Sequence, residues 1–259
     1  MNTRRTVIVA GLALVLSAVA GCHSAGSTTS SPSSGSVKDS LLGSIAAMGR
    51  TSYAIELTAD HLNASGSVDP TQDVASLTAE ETHGGQTVRV QALSIAADSW
   101  AKLDLGSQTR TLGIEPGKWL HLDPEKVSGA GSLPFDQADK GDAFDLRNVL
   151  DGVISVSRID AQHFRGTIDL TGVHGVASLV PAGSRLGAAA ASVPFTATLD
   201  GQGRLTDLRV GTEGQVWSFD FDISDYSAAV PPQAPNDVDV VRAPSGVYRY
   251  LRAQQLATT

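Results

Sequence analysis

The sequence predicts an α+β domain built mainly from one antiparallel β-sheet, with few helices. Three observations carry this. Apolar residues alternate with period two over several segments, Gly-containing turns separate the last of them, and helical periodicity is strong in only one place. Successive strand side chains point to opposite faces, so strict alternation marks strands buried on one side only.

The helix is expected at Val37–Met48, where Val37, Leu41, Ile45 and Met48 form one apolar stripe. Ser36 and Asp39 form a capping-box-like pair before it, and Gly49 can close it. Strands follow. Tyr53, Ile55, Leu57 and Ala59 share a face; Val88 and Val90 oppose Arg89 and Gln91. Phe164, Gly166, Ile168 and Leu170 alternate with His163, Arg165, Thr167 and Asp169. Phe195, Ala197 and Leu199 run into the turn Asp200–Gly203, and Leu208 and Val210 lead to a second turn at Gly211–Gly214. Trp217, Phe219, Phe221 and Ile223 against Ser218, Asp220, Asp222 and Ser224 give the clearest strand, and the last three strands should form a meander. Shorter helices are expected after Asp123-Pro124, at Phe144–Asp151 and in the Ala/Gly-rich stretch Val173–Ala191, with a loop at Gly129–Gly141.

About ten strands with one apolar face need cover, and the helices are few. The imbalance predicts a groove or cavity on that face, unless the helices pack closely enough to fill it. Its wall candidates are Tyr53, Ile55, Leu57, Phe164, Ile168, Phe195, Leu199, Trp217, Phe219, Phe221 and Ile223, each read first as plain core and second as ligand contact.

The N-terminus points to export. Arg4 and Arg5 precede an apolar run, Val7–Ala20, of about 14 residues, too short to span the roughly 30 Å of a bilayer core and suited to a signal peptide. Val19-Ala20-Gly21-Cys22 resembles the lipobox of bacterial lipoproteins, in which the cysteine is lipidated and becomes the new N-terminus. An ordinary secretory signal beside a stray cysteine is the alternative; against it, Cys22 is the chain's one cysteine. Sec and Tat export both fit the paired arginines. A cysteine carrying two acyl chains anchors stably, so the expected location is the outer face of the cytoplasmic membrane. The Ser/Thr/Gly-rich stretch up to Ser36 reads as a flexible tether of roughly 20 Å, with a composition that would also accept O-glycosylation. The expected organisation is therefore signal peptide 1–21, lipidated cysteine and linker 22–36, a folded domain 37–243 and a C-terminal extension 244–259.

Composition narrows the function classes. The net charge is −8, and removing the signal peptide leaves 17 basic against 27 acidic residues, a net of −10. An acidic surface argues against nucleic-acid binding. Six scattered histidines show no metal-ligand spacing, so neither a metal nor another cofactor is expected. Ser99-Trp100-Ala101-Lys102 matches S-x-x-K without the companion motifs of acylating enzymes, and Trp100 and Lys102 read as strand residues. Asp220, Asp222 and Asp225 lack the contrasting environments that acid–base pairs need. No catalytic residue is assigned and no enzymatic activity is expected.

A resemblance sharpens this. Gly117–Pro124 (GKWLHLDP), Asn148–Val153 (NVLDGV), Phe164–Asp169 (FRGTID), Val193-Pro194-Phe195, Leu199–Leu205 (LDGQGRL), Asp222–Ser227 (DISDYS) and the proline-rich Pro231–Val241 succeed each other in an order that resembles the LolA-like actinobacterial lipoproteins, the LppX/LprG group, over roughly residues 37–241. The resemblance implies a strongly curved antiparallel sheet, an open half-barrel whose concave apolar face is capped by helices. It also implies lipid or acyl-chain binding in that hollow and lipid transport across the envelope. The alternative within the same fold is a binding or sensor module that contacts other envelope proteins without carrying lipid. A 16-carbon, palmitate-length chain exposed to water costs on the order of 12 kcal/mol, so an apolar hollow supplies what the aqueous envelope lacks. Pro244–Thr259, with Val247, Tyr248, Tyr250 and Leu251, runs past the usual end of the family as a short helix without an assigned role.

Overall fold

Alternation translates directly into a single twelve-stranded sheet in the computed structural model, which describes residues 34–59, 61–83, 85–127, 142, 144–173, 187–211 and 218–257. All of them belong to one compact unit. The expected signal peptide, Cys22 and the start of the linker lie outside the described residues, as does most of the expected turn at Gly211–Gly214. The strands are β1 (Tyr53–Ala59), β2 (Leu62–Asp69), β3 (Val74–His83), β4 (Gln86–Ile95), β5 (Asp98–Asp104), β6 (Trp119–Leu122), β7 (Val153–Arg158), β8 (His163–Ile168), β9 (Val193–Leu199), β10 (Leu205–Gly211), β11 (Ser218–Ser224) and β12 (Val240–Arg242). Their order across the sheet is β12-β6-β5-β4-β3-β2-β1-β11-β10-β9-β8-β7. Two meanders, β1–β6 and β7–β11, are therefore joined where β1 pairs with β11, and the sheet stays unclosed, with β12 and β7 as its edges. Every pairing is antiparallel except β12 on β6. This is the expected α+β open half-barrel, two strands longer than the alternation counted.

Five helices are described: α1 (Ser34–Met48), α2 (Gln108–Thr111), α3 (Pro124–Val127), α4 (Leu146–Asp151) and α5 (Ser245–Ala257). The α1 stripe is as expected, with Val37, Leu41, Ile45 and Met48 all buried. The helix nevertheless begins at Ser34, which places Ser36 inside its first turn instead of at the cap; the Ser36 carbonyl accepts from Ser40 Oγ at 3.0 Å. Lys38 fastens α1 to the sheet, donating to the carbonyls of Asp151 (2.8 Å) and Val153 (2.9 Å) at the junction of α4 and β7. The first is an orphan carbonyl of a helix C-terminus, a group that needs such a donor. The Ala/Gly-rich stretch contributes a 3-10 turn at Gly187–Ala191, whereas 174–186 and the loop at 129–141 lie outside the described residues.

The C-terminal helix is integral to the domain. Val247, Tyr248 and Leu251 bury against Leu103, Leu105, Ile114, Leu120 and Leu122, forming a second apolar cluster at the β5–β6 end of the sheet. The Tyr248 hydroxyl accepts from the Asp123 N–H at 3.0 Å. Gly246 permits this docking, because a Cβ there would stand 2.6 Å from the Leu112 carbonyl oxygen.

Candidate functional site

Strand register puts the wall candidates on one face. Ile55 lies opposite Ile223, and Leu57 opposite Phe221. Phe221 faces Leu208, and Phe219 faces Val210. Val210 continues to Phe195, Ala197 faces Phe164, and Ile168 faces Val193. Ten of the eleven candidates are buried in one cluster with α1 and α4; Trp217 lies outside the described residues. Their exposure runs from 0% at Tyr53, Ile55, Ile168 and Phe221 to 6% at Leu199, so they touch protein and not a void. In this conformation the face is a filled core.

The centre of that core is not filled from the sheet. Phe144 sits on β2 above Gly66, where an added Cβ would meet Phe144 Cζ at 3.2 Å and the Ser76 carbonyl oxygen at 2.3 Å. Its ring meets Phe221 edge-on, with centroids 6.4 Å apart and planes at 81°; Phe219 and Phe221 form a second T-shaped pair at 5.5 Å. Two features hold Phe144 in place. The buried Asp142 carboxylate accepts from the N–H groups of Leu146 and Arg147, both at 2.8 Å, capping α4. Between them Asp145 adopts a left-handed conformation (φ 53°, ψ 37°), sparsely populated for a residue with a Cβ. Alternation could not single out Phe144, which belongs to no strand; its signal is an aromatic between two aspartates just before a short helix.

The apolar face carries two cores, one under α1 and α4 and one under α5. They meet over β3 and β4, whose inward pairs are Ala75 with Ser94, Leu77 with Ala92 and Ala79 with Val90. Four of these six side chains are Ala or Ser, and Ala92, though 2% exposed, belongs to neither core.

The outer face holds the polar candidates other than Ser99. Ser99 and Lys102, three apart in β5, project to opposite faces, so the S-x-x-K spacing assembles no site here. Lys102 instead lies over the Trp119 ring at 5.9 Å. Asp220 forms an ion pair with Arg209, its cross-strand neighbour, while Asp222 stands opposite Asp207. Burial, and then the charge of Asp220, push the Asp207 carboxyl above its ordinary value. Two histidines are held by single carboxylates, His121 by Asp98 at 3.0 Å and His163 by Asp160 at 2.8 Å. Among the described residues no three His, Cys, Asp or Glu side chains converge as metal ligands, and no helix is long and apolar enough to cross a membrane.

No family model matches the chain, and no curated protein matches it. Among solved structures it is similar to the Mycobacterium tuberculosis lipoprotein LppX, at 16% identity over 75% of this chain and 99% of that one, with a TM-score of 0.37. It is also similar to an uncharacterized conserved protein from Thermus thermophilus, at 10% identity over 80% of this chain and 99% of that one, again with a TM-score of 0.37. At that level of likeness, what those two proteins do does not transfer to this chain.

Proposed function

We propose that this chain is an envelope lipoprotein, anchored through Cys22, that shelters a lipid acyl chain on the helix-covered face of its sheet. The observation that supports this is the way the face is filled. Its central occupant, Phe144, arrives on a strained turn from outside the sheet and rests on a glycine, beside a seam floored largely with Ala and Ser. Withdrawing one aromatic ring with the α4 turn would open a hollow within the first core, while α1 and α5 keep their places. The walls are then Tyr53, Ile55, Leu57, Phe164, Ile168, Phe195, Leu199, Phe219, Phe221 and Ile223. A closed resting state also explains how an acyl-binding protein stays folded when empty. Transport across the envelope is the use such a shelter serves.

The test is a titration with cis-parinaric acid, a fluorescent 18-carbon fatty acid, against wild type and Phe144→Ala. Binding must displace Phe144, so its removal should tighten the apparent affinity, by tenfold for each 1.4 kcal/mol that closure costs. Fluorescence that rises in neither protein would exclude the shelter. It would favour the second reading, a partner-contacting module, for which the observation is Ile154 and Ile159, both more than half exposed beside the edge strand β7.

A further inference from the structure

Away from the apolar face, a cavity of about 570 Å³ lies between the outer side of β4–β5 and the loop that carries α2. Arg89, Gln91, Lys102, Asp104, Ser107 and Arg110 line it. Three cations against one carboxylate is a local excess of positive charge on a chain whose net charge is −8. Each cation is differently placed. Arg89 is half-occupied by an ion pair with Glu80 at 2.5 Å, both side chains substantially exposed. Lys102 rests on the Trp119 face, an arrangement that leaves its ammonium without a carboxylate partner among the described residues. Arg110, exposed in the last turn of α2, makes no ion pair with a described residue. The single acid, Asp104, is engaged by the Gly106 N–H at 3.3 Å, and the neighbouring Thr109 hydroxyl accepts from the Leu105 N–H at 2.9 Å.

We infer that this cavity binds a phosphoryl group. A planar guanidinium and an ammonium lining one cavity suit the non-bridging oxygens of a tetrahedral phosphate, with the Ser107 hydroxyl and the Gln91 amide as neutral donors. The volume admits a small organic phosphate as well as the bare ion. The phosphoryl group can belong to a lipid headgroup or be free in solution, and the two sources separate experimentally. The inference does not depend on the acyl shelter, since the cavity shares no residue with the shelter's proposed walls.

The experiment follows tryptophan fluorescence of the full mature chain in dodecyl maltoside micelles, because moving Lys102 off Trp119 changes that ring's surroundings. Inorganic phosphate and dihexanoyl phosphatidylglycerol below its micelle concentration are the two probes, with sodium chloride of equal ionic strength as the blank. A saturable change with either phosphoryl probe is expected. It should weaken at least fivefold in Lys102→Gln and in Arg110→Gln, remain in Arg110→Lys, and be untouched in Arg50→Gln, an exposed arginine outside the cavity. A response to inorganic phosphate alone assigns the site to a free phosphate; tighter binding of the lipid assigns it to a headgroup. No saturable change with either probe, or one that the Lys102 and Arg110 variants retain in full while circular dichroism shows them folded, would overturn the inference.

Discussion

Gly66 and Phe144 are one device at the residue scale. A methyl at position 66 must push against backbone as well as against the ring, because the Ser76 carbonyl oxygen is the nearer neighbour. Gly66→Ala should therefore cost about 1–3 kcal/mol, the range of overpacked cores, read as a lower midpoint in urea. Phe144→Ala should cost about 3–5 kcal/mol. In the double variant the ring contact is already gone, so the two losses should add to less than their sum; full additivity would mean that the residues do not share the site. A second residue-scale prediction concerns pH. Asp207 has a carboxyl raised by burial and by Asp220, so its ionised form is disfavoured in the folded state. That penalty is fully present above the raised value and disappears as pH falls through it. Asp207→Asn should thus raise Tm at pH 8 and lose its advantage under acid. Asp69 has the opposite sign. The Thr71 hydroxyl, against a smaller effect of burial and with help from Gln72 and the backbone, holds it below the usual carboxylate value. Its contribution is present above about pH 4 and is lost below, so Asp69→Asn should destabilise at neutral pH and converge with wild type in acid.

At the scale of elements, periodicity is a good guide wherever a strand has its own pattern. β1, β4, β8, β9, β10 and β11 and the stripe of α1 follow from alternation and from i, i+4, i+8 spacing, Trp100 and Lys102 lie in a strand as read, and the Asp200–Gly203 turn lies between β9 and β10. The misses have physical causes. β12 is three residues long and flanked by a proline-rich run; only parallel pairing with β6 makes it a strand, and that partner is invisible locally. β7 carries an irregularity between Val153 and Ser155 that breaks its period, leaving Val153 and Val156 inward. For α5 the local pattern predicts a short helix but no role, because the surface it covers, on β5 and β6, lies more than a hundred residues earlier. Removing residues 245–257 should uncover Leu103, Leu120 and Leu122 and forfeit the burial of Val247 and Leu251, each worth about 1.5–3 kcal/mol. A truncated chain with unchanged Tm would show that α5 is not part of the core. Lys38→Met is the smaller test of the α1 clamp. Losing these partly solvated bonds to the Asp151 and Val153 carbonyls should cost about 0.5–1.5 kcal/mol, with α1 the first helix to lose hydrogen-exchange protection.

The whole molecule joins two cores on one face of an unclosed sheet, with polar chemistry on the other. The sign of the sheet, apolar within and polar without, was legible from the chain, and so was its curved, helix-capped class. The wall candidates were legible as a set but not as a site: alternation reports which side chains point inward, not whether they meet protein or space. That distinction depended on Phe144, whose position rests on Gly66, Asp142 and the left-handed Asp145 together. The phosphoryl cavity was hidden for a similar reason, since Lys102 and Arg110 meet only through the β5–α2 connection. Native mass spectrometry of the full mature protein, wild type beside Phe144→Ala, tests the acyl shelter most directly. The account predicts a non-covalent lipid adduct beyond the mass of the covalent anchor, at higher occupancy in the variant. Bare protein in both spectra, from preparations that retain the folded state, would contradict it.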